Sequence, residues 1–223
     1  MWVKICGTTN LEDAQLAVDA GADAVGFVFG PSRRQVTAEQ VAPITPRLPE
    51  KTEKVGLFVD ETAERIGEIV RIAGLTGVQL QGDEPPEFAA ALRSLNLRLL
   101  VRTVWASAGI GTLAERIAAH RPNADSILLD SGSVSVRGGT GARFDWTEVA
   151  AQLFRVRNGT RIIVAGGLNP SNVATAIATL RPWGVDVATG VEREPGRKDP
   201  DKVRAFVAAA RRAGTPSELS SLA

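Results

Sequence analysis

Along the chain, short apolar runs alternate with longer stretches in which apolar residues return every three or four positions. The runs fall at residues 3–6, 24–29, 54–59, 78–81, 98–104, 126–130, 161–165 and 185–188, each bounded by glycine, proline or polar residues. Strands buried on both faces have this appearance, because neither face needs a polar alternation. Between the runs the spacing turns helical. Ile66, Ile69, Val70 and Ala73 make one stripe, Val173, Ile177 and Leu180 a second, and Val203, Phe206, Val207 and Ala210 a third. Helix starts are predicted at Asn10, at Asp60 before Glu61, at Asn169 before Pro170 and at Asp199 before Pro200. A side-chain oxygen there can accept a first-turn N–H, and a first-turn proline lacks only a donor the helix does not use.

Eight strand and helix cycles, at intervals of roughly 20 to 35 residues, point to parallel strands joined by right-handed helical crossovers. Eight is the number that closes a barrel. The expected fold class is therefore α/β, a single-domain (βα)8 TIM barrel over residues 1–213, with residues 214–223 as a flexible C-terminal tail. An open doubly wound sheet is the competing arrangement, but the first strand lacks the Gly-x-Gly-x-x-Gly turn usual there.

Alternation along the strands then says which side chains meet inside. If Cys6 points inward, so does Lys4; by the same parity Gln79, Gln81, Arg102, Ser126, Asp130 and Asp186 are candidates for the inner face. Polar groups there are costly unless paired, so they form either a polar layer beneath a ligand site or a structural network. Lys4 and Asp186 become neighbours when the first and last strands close, and an internal ion pair is expected between them.

Composition narrows the partners. The 26 basic and 25 acidic residues leave a net charge of +1, too little to build a field for nucleic acid or an anionic membrane. Any anion must be bound locally. The single cysteine has no partner for an internal disulfide, and neither a signal-peptide pattern nor an apolar run near the ~18 residues of a membrane span is present. A soluble cytoplasmic protein is expected.

Glycine-bearing loops follow the last two strands: Gly166-Gly167-Leu168-Asn169 and Thr189-Gly190-Val191-Glu192. Backbone N–H groups in such loops, leading into helix N-termini, can cradle a phosphate, and barrels commonly use this pair of loops for it. Either loop alone would be explained by a tight turn. Asp130 ends the sixth run, where a partly desolvated carboxyl can have its pKa raised and act as an acid; a structural role in bonding loop amides is the alternative. Cys6 holds the corresponding place on the first strand. Default packing makes it a small apolar filler, but Gly7 amides and Lys4 nearby would favour the thiolate. The sole histidine, His120, closes the fifth helix at the opposite end, so no Cys–His pair forms, and no ligand cluster for a metal is present. Arg33 and Arg34 are either a solvated basic pair or a fork for a substrate carboxylate.

With these residues assembled, the chain resembles the phosphoribosylanthranilate isomerases of tryptophan biosynthesis. The likeness runs through Lys4-Ile-Cys-Gly7, Gly21-Ala-Asp-Ala-Val-Gly-Phe-Val-Phe29, Ser32-Arg-Arg34, Val78-Gln-Leu80, Leu128-Leu-Asp130, Gly138-Gly-Thr-Gly141, Phe144-Asp-Trp146, Gly166-Gly-Leu-Asn169, Gly190-Val-Glu192 and Pro195-Gly-Arg-Lys-Asp199. It implies an Amadori rearrangement of N-(5-phosphoribosyl)anthranilate to 1-(2-carboxyphenylamino)-1-deoxyribulose 5-phosphate. It also implies Cys6 as base, Asp130 as acid, and Arg34, with Arg33 as fallback, as the carboxylate-binding residue. The phosphate would sit on Gly166, Gly167, Asn169, Thr189 and Gly190. The acid's pKa must then be pushed up and the thiol's down. No metal, flavin or nicotinamide is called for, since electrons are rearranged within one molecule. The partner is a small phosphorylated substrate, and monomer and homodimer both remain open. The family often has histidine where Gln81 stands, which leaves acid and base intact. The Gly/Ser-rich stretch 131–143 is a candidate lid. Another phosphosugar isomerase and a non-catalytic phosphometabolite-binding barrel are the rival readings; indole-glycerol-phosphate synthesis, which relies on a lysine and glutamates, fits the Cys6 and Asp130 pair poorly.

Overall fold

The computed structural model describes residues 1–106, 110–131, 145–156 and 159–215. Eight parallel strands pair in sequence order: β1 (Trp2–Ile5), β2 (Ala24–Val28), β3 (Glu53–Phe58), β4 (Gly77–Leu80), β5 (Leu99–Trp105), β6 (Ser126–Asp130), β7 (Arg161–Val164) and β8 (Gly184–Val187). β8 pairs back onto β1 and closes the barrel, with Lys4 opposite Asp186. Every expected strand is present, with ends displaced by no more than one residue. Around them lie α1 (Leu11–Asp19), α2 (Ala38–Val41), α3 (Ala63–Ala73), α4 (Phe88–Ala91), α5 (Ile110–His120), α6 (Trp146–Val156), α7 (Val173–Leu180) and α8 (Pro200–Gly214). The expected lid stretch beyond Ser131 and the expected tail beyond Thr215 lie outside the described residues.

Three apolar clusters result among the described residues, two of them large. The larger fills the space between strands and helices, and takes in the Ile66, Ile69 and Ala73 stripe, the Val173, Ile177 and Leu180 stripe, and the α8 stripe. The smaller fills the barrel interior with Ala24, Val55, Leu99, Val101, Leu128, Ile163 and Ala165. Trp2 stacked on Trp183 at 5.2 Å packs against it, with the Arg161 guanidinium 5.0 Å from the Trp183 ring centre. Further along the inner face come the polar side chains of Lys4, Gln79, Thr103 and Asp186, and then Cys6, Val28 and Leu57.

The helix starts divide. Asn10 caps α1, its side chain accepting the Asp13 N–H at 2.8 Å, and the Asp199 carboxylate accepts from Asp201 and Lys202 at the start of α8. Asp60 does not cap α3. It sits at φ +51° with its carboxylate on the Asp83 N–H at 2.6 Å, in the β4 loop, and Thr62 caps the helix instead. Asn169 likewise shapes a turn by accepting from Ser171, and α7 begins at Val173.

Arg102 does not share the inner face expected for it. Leu99 and Val101 face the barrel interior and Thr103 meets Gln79, so Arg102 takes the opposite phase with Leu100 and Val104, against the helices. There it pairs with Glu84 and donates to the Gly82 carbonyl at 2.9 Å. A strand apolar on both faces carries no mark of which parity is the inner one.

A short antiparallel hairpin, β9 (Glu192–Glu194) and β10 (Arg197–Lys198), follows β8 and turns through Gly196 at φ +80°. Nothing in the hydrophobic pattern foreshadows it.

Candidate active site

At the C-terminal ends of the strands lies a cavity of about 340 Å³, within the range of small-molecule sites. Cys6, just past β1, and Asp130, the last residue of β6, both line it. Arg34 and the two glycine loops line it as well.

Cys6 is buried, at 5% exposure. Deeper in the barrel, Lys4 Nζ donates to Asp186 Oδ2 at 2.7 Å and to Gln79 Oε1 at 2.9 Å; Gln79 Nε2 in turn donates to Gln81 Oε1 at 2.8 Å. The expected internal ion pair is therefore present, and it belongs to a wider network reaching Gln81 at the cavity. Burial pulls the Lys4 ammonium down, but Asp186 and Cys6 outweigh it and hold the lysine above its ordinary pKa. Burial pushes the Cys6 thiol up, and Lys4 and Lys198 only partly oppose it. This reverses the expected direction. The sulfur is dry, and the cation beneath it is already paired with Asp186, which itself disfavours a second negative charge.

Asp130 is half-buried, with Oδ1 accepting from Ser131 Oγ at 3.4 Å. Gly166 packs so closely on Ser131 that a Cβ there would overlap the serine hydroxyl. A Cβ on Gly190 would overlap the Leu168 carbonyl oxygen, so the β8 loop rests directly on the β7 loop. Gly166 and Gly167 have φ +82° and +63°, which glycine adopts without strain. The N–H groups of Gly167, Leu168, Thr189 and Gly190 have no acceptor among the described residues. The Asn169 side-chain oxygen accepts from Ser171, and its N–H donates to Asn172 Oδ1 at 2.9 Å, so this residue organises the turn. Leu168 carries no signal of its own in the sequence: it offers only a backbone N–H and lacks the glycine that marked its neighbours.

Arg34 Nε and Nη2 form a fork on Glu192, at 2.8 and 2.6 Å, and Nη2 also donates to Thr189 Oγ1 at 3.0 Å. Nη1 has no partner among the described residues. The arginine also lies across Gly7, where a Cβ would overlap its Cδ. Burial pushes the Glu192 carboxyl up, but the hydrogen bond from Arg34 and the Lys198 charge hold it below its ordinary value. Arg33 is exposed and does not line the cavity. Glu192 and Lys198 had only their place in family-like motifs as a signal; no local rule marks them as partners of Arg34 and Cys6. His120 stands away from the cavity, accepting from Arg102 Nε at 3.4 Å, and no group of residues with metal-ligand geometry occurs among the described residues.

The model of the N-(5'-phosphoribosyl)anthranilate (PRA) isomerase family matches residues 3–209. The chain belongs to this family. It is 45% identical over 206 residues to the PRA isomerase of Pelobacter propionicus, covering 92% of this chain and 93% of that one. The crystal structure of the Thermotoga maritima PRA isomerase is similar with a TM-score of 0.84 and 39% identity, over 95% of this chain and 99% of that one. A PRA isomerase solved in complex with reduced 1-(o-carboxyphenylamino)-1-deoxyribulose 5-phosphate is similar with a TM-score of 0.81 and 38% identity, over 95% and 99% of the two chains. Dimeric PRA isomerase is known from Thermotoga maritima. The closed barrel, the isomerase activity and the place in tryptophan biosynthesis that the sequence resemblance implied all follow from PRA isomerase membership. No helix among the described residues is long and apolar enough to cross a membrane.

Proposed function

We propose that PRA isomerisation in this chain runs by general acid and base catalysis between Asp130 and Cys6. Protonated Asp130 donates to the furanose ring oxygen and breaks the bond from C1′, which opens the sugar to a Schiff base. The Cys6 thiolate then takes the C2′ proton, and the electron pair moves to give an enamine. Transfer of a proton from the C2′ hydroxyl to C1′ leaves the ketone. Return of the thiol proton to the Asp130 carboxylate resets the pair, so the sum is an isomerisation with no net gain or loss of protons.

One observation carries this reading: both groups reach a single cavity from different strands, in company with two loops rich in unused N–H donors. In this reading the phosphate lies on Gly166, Gly167, Thr189 and Gly190, in a turn shaped by Asn169. The anthranilate carboxylate meets the open Nη1 edge of Arg34. Binding both ends of the substrate fixes C2′ near the base, which is where most of the rate gain from positioning arises. The small phosphorylated substrate is bound by the 1–213 barrel, as monomer or homodimer. A reducing cytoplasm suits a base that must stay a free thiol.

The deciding experiment follows anthranilate fluorescence while purified protein converts N-(5-phosphoribosyl)anthranilate. Turnover that disappears in Cys6→Ser supports the reading. Turnover that persists at the parent rate in that variant removes Cys6 from the mechanism.

A further inference from the structure

We propose that Lys198 is a positioning residue for this reaction, whose ammonium ties the base, the phosphate loop and the carboxylate-binding arginine into one unit. The inference rests on the acid and base reading above. Lys198 stands on β10, and its side chain is fully buried. Its Nζ donates to the Cys6 carbonyl oxygen at 2.5 Å and to Glu192 Oε1 at 3.1 Å, with the Ala188 carbonyl oxygen at 3.5 Å. Three acceptors suit the three protons of an ammonium; a neutral amine would turn its lone pair on one of them.

Each acceptor leads to a different part of the site. Cys6 carries the proposed base. Ala188 runs straight into Thr189 and Gly190 of the proposed phosphate loop. Glu192 is the carboxylate that holds Arg34 in a fork. The hairpin bearing Lys198 is itself held at two further points. The Lys198 N–H donates to Asp13 Oδ2 at 3.1 Å, and Thr9 Oγ1 donates to the Gly196 carbonyl at 2.8 Å. The geometry of the three groups is thus set in common rather than loop by loop.

Stability does not account for such an arrangement. A buried ammonium and carboxylate cost so much desolvation that apolar side chains of similar shape often stabilise a fold as well or better. What apolar side chains cannot do is draw two carbonyls and a carboxylate to one point. The Lys198 charge also acts on Cys6, opposing the burial that pushes the thiol up.

The test uses Lys198→Met in the full chain. Its kcat is expected to fall by about a hundredfold, the usual result of a misplacement near 1 Å, and KM is expected to rise as well, because the phosphate loop and the Glu192–Arg34 pair lose the group that ties them to Cys6. Iodoacetamide alkylation of Cys6 in unliganded protein is expected to show a pH profile displaced upward by about one unit. A soluble variant with parent kcat overturns the proposal, as does a fall in kcat with an unmoved alkylation profile, which a structural role alone would give. If Lys198→Met does not fold, Glu192→Gln is read in its place: a fall in kcat together with a displaced alkylation profile supports the proposal, and parent kcat or an unmoved alkylation profile overturns it. Parent turnover tests the reaction reading separately, and alkylation needs no turnover.

Discussion

Gly26 faces Cys6 across the seam between β1 and β2: a Cβ built on the glycine would lie 2.7 Å from the cysteine Sγ and 3.0 Å from Lys4 Cε. The thiol and the end of the Lys4 stem therefore occupy space that any other residue at position 26 would claim. Gly26→Ala should push the sulfur out of place while the barrel still closes. We expect a stability loss of about 1–3 kcal/mol by urea unfolding, as for other overpacked cores. Turnover should fall by one to two orders of magnitude, roughly the effect of a small misalignment. Full activity in a folded Gly26→Ala variant would show that the thiol tolerates displacement.

Cys6→Ser and Asp130→Asn should each lower kcat by about 10²–10⁴-fold, the range for a lost general acid or base, with affinity for a phosphorylated product analogue retained. Because burial raises the Cys6 thiol, the thiolate fraction increases as pH climbs, and kcat/KM of the parent should rise from neutral into alkaline solution. Initial rates across a pH series, set beside calorimetric binding, check both points. A flat alkaline limb would argue against a thiolate base.

Lys4 and Asp186 form a dry pair, with side chains 1% and 8% exposed. Lys4→Met alone leaves the carboxylate without its cation and should cost about 3–5 kcal/mol in a denaturant titration. Adding Asp186→Leu should restore most of that stability, since an apolar pair of similar volume needs no desolvation. It should leave the thiol without its nearest cation, so activity should remain low. Recovery of activity along with stability would confine the pair to a structural role.

The β8 loop can approach the β7 loop only because Gly190 has no side chain. Gly190→Ala should part the two loops and weaken binding of inorganic phosphate by about tenfold or more, the loss expected for a hydrogen bond to a charged group. The stability change should be small, because the residue lies at the rim. Isothermal titration with phosphate decides it, and unchanged affinity would move the anion elsewhere.

Burial and the charges of Arg102 and Arg116 push the His120 pKa down from 6.5 to about 4. The unfolded chain takes up a proton first as pH falls, so stability should drop between pH 6.5 and about 4 and level off below that. His120→Gln should lack this component of the acid sensitivity. Urea midpoints at pH 7 and pH 5 for both proteins measure it; equal shifts would assign the sensitivity to other groups.

Legibility was uneven for physical reasons. Asn10 and Asp199 could be read as caps because their partners lie two or three residues away. Asp60 and Asn169 carry the same local signature, yet the carboxylate of Asp60 meets Asp83 across a neighbouring loop, and Asn169 is held within its own turn. Arg102 was misplaced because Leu99-Leu100-Val101 is apolar on both faces. The Lys4 and Asp186 pair was legible because closure makes the first and last strands neighbours and parity then aligns the two side chains.

Eight buried runs, the helical stripes between them, the closing of the barrel and the strand-end positions of Cys6 and Asp130 were determined by sequence, because each depends on the periodicity of nearby residues. Tertiary structure alone decided that Arg34 is held by Glu192, 158 residues away, and that Lys198 reaches the Cys6 carbonyl from 192 residues away. It also decided that the thiol is raised rather than lowered. Contacts of that range, and the desolvation that sets a buried group's charge, exist only once the barrel has closed and excluded water.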